Sequence, residues 1–201
     1  MQAVIIGIDF DNTIVCYHDV FYAVAFERGL IPADFPKDKE KIRNYLRQQK
    51  KENLWTEIQG YVYGKAMFAA KPFPGVVDFF KSAREKNIKV YIISHRTKYP
   101  YIGVSYDLHK AARLWIDEMQ LDVLGVFFLE SKQEKLEKIS ICRCTHFIDD
   151  LPEILLDPVF PQNTRKILFS REDKKQYELQ EMIVLPTWDY ILKFFMPSAY
   201  A

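Results

Sequence analysis

The stretch AVIIGIDFDNT, residues 3–13, is a short apolar run rich in β-branched side chains that ends in two aspartates spaced two apart. It lacks the polar–apolar alternation of a half-solvated strand, which is the pattern of a strand covered on both faces. Comparable runs recur at residues 88–93, 123–129, 146–148, 165–169 and 182–185. Between most of them lie segments with apolar residues at three and four spacing, at 76–86, 106–119, 133–139, 152–156 and 188–195. Strands alternating with helices predict an α/β fold on a doubly wound parallel sheet. Residues 15–71 break the rhythm: they hold no strand run, and 22–28, 39–51 and 54–68 have helical spacing. A connection this long has structure of its own. The expected organisation is therefore a core of residues 1–14 and 72–201 with a helical insertion at 15–71, re-entering the core through the hinge-like KPFPG at 71–75.

Composition narrows the function. With 28 Lys and Arg against 27 Asp and Glu, the formal net charge of +1 gives no overall field to hold a polyanion, so neither a nucleic-acid nor a membrane-surface partner is expected. Three cysteines, Cys16, Cys142 and Cys144, are too few for a disulfide framework, which predicts a reducing, cytoplasmic setting. No apolar stretch approaches the roughly 20 residues of a membrane span, and the opening MQAVIIGIDF lacks a basic leader region and reads as mature structure.

In open α/β sheets, ligands bind outside the carboxyl ends of the strands. The residues that follow the first four runs are Asp9, then Ser94, then Glu130-Ser131-Lys132, then Asp149-Asp150. On an extended chain Asp9 and Asp11 point to one side and repel unless a cation lies between them. A hard ion such as Mg2+ suits a cluster of Asp9, the Asp11 main chain and Asp149 or Asp150, and Lys132 adds further positive charge. Carboxylates, a metal and a lysine together suit a group carrying several negative charges, with phosphate the obvious one.

Asp9-Phe10-Asp11-Asn12-Thr13 resembles DxDxT, the first motif of the haloacid dehalogenase-like hydrolases. Ser94 in YIISHRT, Lys132 in ESKQEK and Asp149-Asp150 in HFIDD resemble the second, third and fourth motifs, in the family's order over residues 3–169. The resemblance implies a Rossmann-like core, a helical cap between motifs one and two, and a Mg2+-dependent phosphatase. Asp9 would be the nucleophile that forms an aspartyl-phosphate. Asp11 would be the general acid and base, and Thr13 its positioner. Ser94 and Lys132 would hold the phosphoryl oxygens, and Asp9, Asp11, Asp149 and Asp150 the metal. The 17 residues from Lys132 to Asp149 are fewer than the family's usual spacing, which makes Lys135, one turn on, the second candidate for the motif-three lysine. Asn12, His95 and Arg96 are the remaining candidates for substrate contacts. The presence of Asp11 argues for phosphoryl chemistry and against dehalogenation.

A cap favours a small phosphorylated metabolite as partner, handled by a monomer or homodimer. The same motifs also serve a phosphotransferase or phosphomutase, and a catalytically silent phosphometabolite-binding protein is the alternative outside enzymology. Cys142, Cys144 and His146 alternate as CxCxH but lack a fourth zinc ligand at any recognised spacing, so they read as core residues. The charged run at 37–51 reads as a solvated helix face.

Overall fold

The computed structural model describes residues 3–170 and 182–197; the rest of the expected core range, 1–2, 171–181 and 198–201, lies outside the described residues. The predicted strand runs form one parallel sheet. In chain order its strands are β1 (Ile5–Ile8), β4 (Lys89–His95), β5 (Gly125–Leu129), β6 (His146–Asp149), β7 (Arg165–Phe169) and β8 (Met182–Leu185), with β2 (Val15–Cys16) and β3 (Lys71–Pro72) pairing separately. The spatial order is β5-β4-β1-β6-β7-β8. β1 is therefore central: Ile6 aligns with Val90 of β4 on one side and with His146 of β6 on the other. Strand order reverses at β1, and the clefts on either side of it are where a doubly wound sheet places its ligand.

The chain divides into two compact units. One comprises Met1–Ile14, Pro72–His95 and Met119–Ala201; the other comprises Val15–Lys71 and Arg96–Glu118. The helical unit thus extends beyond residues 15–71. Its helices are α1 (His18–Glu27), α2 (Lys39–Gln48), α3 (Glu52–Tyr63) and α5 (Leu108–Glu118), with a 3-10 turn at Met67–Ala69. Its core is aromatic: Phe21 stacks on Trp55 at 4.9 Å, Tyr17 meets Tyr63 edge-on at 4.9 Å, and the Trp115 indole donates to the Ala70 carbonyl. Together with the packing of α5 against α3 and the 3-10 turn, that last bond joins the segment containing α5 to this unit.

The sheet unit carries α4 (Val76–Glu85), α6 (Lys132–Ile141), α7 (Pro152–Leu155) and α8 (Trp188–Phe195). α4 starts at Gly75, whose φ of +88° favours glycine and where an added Cβ would lie 2.9 Å from the Cβ of Trp188. α6 starts with a reciprocal cap: the Ser131 hydroxyl accepts from the Glu134 amide while the Glu134 carboxylate accepts from the Ser131 amide. Leu136 and Ile139 of α6 and Ile154 and Leu155 of α7 share one buried cluster with Phe147, Phe160 and Leu168. That cluster fixes both helices over the β6 side of the sheet.

Candidate active site

Asp9 follows the last residue of β1, with its amide donating to the Ile148 carbonyl of β6. The next residues cannot continue the strand. Asn12 takes a left-handed φ of 60°, which asparagine tolerates better than most residues, and the Ile14 amide closes a turn onto the Phe10 carbonyl. The Trp188 indole donates to the Thr13 carbonyl at 2.9 Å and ties that turn to α8. Neither Trp188 nor its role carries a motif, and its only sequence signal was membership of an amphipathic helix.

Two predicted groups donate to Asp9. The Ser94 hydroxyl, near the end of β4, donates to Asp9 Oδ1 at 2.8 Å. Lys135 Nζ lies 2.6 Å from Asp9 Oδ1 and 2.6 Å from Asp149 Oδ2. Asp149 Oδ1 in turn accepts from the Leu151 amide, and the Thr13 hydroxyl donates to Asp150 Oδ1 at 3.3 Å. Carboxylate oxygens of Asp9, Asp149 and Asp150 all lie within 4.8 Å of one another. Such an all-oxygen set of hard donors fits Mg2+. Cys142, Cys144 and His146 form no such cluster among the described residues.

Burial raises the Asp9 carboxyl to about 7, opposed by the charge of Lys135 and reinforced by those of Asp149 and Asp11. Burial pulls Lys135 the other way, yet Asp149 and Asp9 outweigh it and raise its pKa, so the ammonium persists at neutral pH. Its ammonium lies over the Phe147 ring, 5.4 Å from the ring centre.

The structure corrects the expectation that Lys132 stands among these carboxylates. Lys132 is the first residue of α6, and its ammonium pairs with Asp157 at 2.5 Å and donates to the Glu153 carbonyl at 2.9 Å. Helical side chains lean toward the N-terminus, so a lysine one turn into α6 leans back to the strand ends while one at the first position overshoots them. His95 Nε2 lies 3.2 Å from the Glu130 carbonyl, and Arg96 belongs to the helical unit, where it donates to the Tyr63 carbonyl and lies over the Tyr63 ring.

An acidic cluster with one buried lysine, at the carboxyl edge of a parallel sheet beside its switch point, defines the class of site. The fold is that of the haloacid dehalogenase-like hydrolases. A HAD-superfamily hydrolase from Ehrlichia chaffeensis superposes with a TM-score of 0.58 at 13% identity over 98% of this chain and 97% of its own. A predicted phosphoglycolate phosphatase from Haemophilus somnus gives 0.61 at 11% over 98% and 99%. A dehalogenase with its intermediate complex gives 0.63 at 10% over 96% and 98%. No protein-family model matches the sequence. A search of curated proteins finds no match either. At these identities the likeness establishes the fold, and because both phosphatase and dehalogenase share it, the chemistry has to be argued from the site.

Proposed function

We propose that the protein is a Mg2+-dependent phosphatase acting on a small phosphate monoester, with the helical unit as its cap. The observation that carries this reading is Asp9, at the end of the central strand, receiving both the Ser94 hydroxyl and the Lys135 ammonium with Asp149 and Asp150 within 4.8 Å. An Asp9 oxygen attacks phosphorus and the ester P–O bond breaks, leaving an aspartyl-phosphate. Asp11, protonated in this step, gives its proton to the departing alkoxide. As a carboxylate it then takes a proton from water, which attacks the same phosphorus, and inorganic phosphate leaves with Asp9 restored. Ser94 and Lys135 donate to phosphoryl oxygens as charge builds on them. Asp9, the Asp11 carbonyl, Asp149 and Asp150 would hold the metal. When bound, Mg2+ supplies positive charge that favours ionised Asp9 and offsets the repulsion between carboxylates and phosphate.

Asp11 supports hydrolysis of a phosphate ester over displacement of halide, because an alkoxide leaving group needs a proton and a halide does not. The test is phosphate release from a panel of sugar phosphates, nucleotides and phosphorylated acids, with and without Mg2+, for the wild type and Asp9→Asn. Turnover that requires both metal and Asp9 is expected; appreciable activity in Asp9→Asn refutes the assignment.

A further inference from the structure

Lys132 has left the site its motif predicts, yet its partners connect α6, which carries Lys135, to α7, which follows closely on Asp149 and Asp150. It sits at the first position of α6, three residues before Lys135. Its ammonium bridges Asp157 Oδ2 at 2.5 Å and the Glu153 carbonyl at 2.9 Å. Glu153 belongs to α7, a single turn of four residues that begins two positions after Asp150. A helix that short cannot hold itself and takes its position from its tertiary contacts. The acidic pair is thus fixed at one end by the pairing of β6 with β1 and β7, and at the other by α7. α7 is held by Ile154 and Leu155 in the buried cluster and by the Lys132 bridge. Asp157, one residue after the α7 C-cap at Leu156, completes the bridge, and the Lys132 contact, together with the amide of Val159, keeps its carboxyl below the ordinary range and therefore ionised at neutral pH.

Resting on the phosphatase reading, we infer that Lys132 is a positioning residue for the metal site: by clamping α7 to the start of α6 it sets the spacing of Asp149 and Asp150 against Asp9 and Lys135. A surface ion pair with only a structural role has little effect on metal binding. One that sets the spacing of three carboxylates changes it, because partners that orient metal ligands typically alter affinity by about 10–100-fold. Lys132 acts through a turn of backbone rather than on a ligand directly, so the lower end of that range is expected.

The experiment is Mg2+ binding by calorimetry to wild type, Lys132→Met, Lys132→Arg and Asp157→Asn, paired with kcat and the apparent Mg2+ constant on the preferred ester. Lys132→Met is expected to weaken Mg2+ binding about 10-fold and raise the apparent Mg2+ constant in parallel, with kcat at saturating Mg2+ largely kept. Asp157→Asn should move in the same direction, and Lys132→Arg should recover most of the loss. Mg2+ affinity within twofold of wild type in Lys132→Met, with the fold intact by circular dichroism, overturns the inference while leaving the phosphatase reading in place. Wild-type protein that binds Mg2+ but hydrolyses no ester overturns the phosphatase reading, and the calorimetric series still decides the role of Lys132. Wild-type protein that binds no Mg2+ overturns both.

Discussion

Replacing Lys135 by Met separates the two lysines by their physics. Met keeps nearly the same volume, so the substitution removes charge and hydrogen bonds without opening a cavity. What remains is Asp9 and Asp149, both buried, with the group that lay 2.6 Å from each now gone. Lys135 is 1% exposed, so water cannot replace it, and removing one partner of such a buried pair costs about 3–5 kcal/mol. Part of that loss is relieved by protonation: Asp9, already raised to about 7, rises further without its cation, so the penalty should be larger at pH 9, where the wild-type carboxyl is ionised, than at pH 7. Mg2+ should restore part of the stability at pH 7 by supplying positive charge to the same carboxylates. Urea denaturation at pH 7 and 9, with EDTA or Mg2+, measures all of this, and phosphate release should fall by at least about 100-fold. Lys132, 39% exposed, should leave the midpoint close to wild type when mutated to Met. The reasoning fails if Lys132→Met unfolds more readily than Lys135→Met, or if the Lys135→Met penalty is independent of pH.

Two further outcomes follow from the same geometry. Trp188→Phe strips the donor from the buried Thr13 carbonyl and should cost about 1–3 kcal/mol in urea denaturation, with a lower kcat because the turn it anchors carries Asp11; a kcat equal to wild type would show that the turn holds itself. In EDTA, Asp9 has a folded pKa of about 7 above its ordinary 3.8, so the folded state binds the extra proton and this group's contribution to stability falls as pH rises between those values. Asp9→Asn should lack that slope and Mg2+ should flatten it; denaturation midpoints from pH 4 to 8 check both.

Most of the sheet was legible because a strand buried on both faces must be apolar throughout, and that signature survives without partners. The run at residues 165–169 coincides with β7, and 182–185 with β8. Helix ends in the insertion were harder, because local backbone geometry rather than hydrophobic period terminates them. α2 stops at Gln48, where Lys50 turns to a φ of 59°, and α3 stops at Tyr63 before Gly64, a position where the close approach of Tyr106 leaves no room for a Cβ. Tyr106 is distant in sequence, so no window on α3 shows why a glycine stands at its C-cap. The pairing of β2 with β3 was missed for the same cause: two residues per strand give periodicity nothing to count.

The site divides along the same line. Asp9, Ser94 and Asp149 were readable because each ends or closely follows a strand, and a parallel sheet gathers such residues at one edge whatever the loops do. The lysine was not, because a helix must carry it there and the phase of that helix decides which lysine arrives. The signal that would have found it was in the sequence: Ser131 and Glu134 form the S-x-x-E capping pattern, which puts Lys132 at the first helical position and Lys135 a turn inside. A side chain at the first position starts outside the helix and has α7 within reach. A side chain one turn further leans back over the strand ends, between two carboxylates that burial makes costly to leave unpaired. Cap position, more than spacing to the next motif, therefore determines which lysine meets Asp9, and moving the cap by one residue would exchange neither lysine for the other but remove both from their partners.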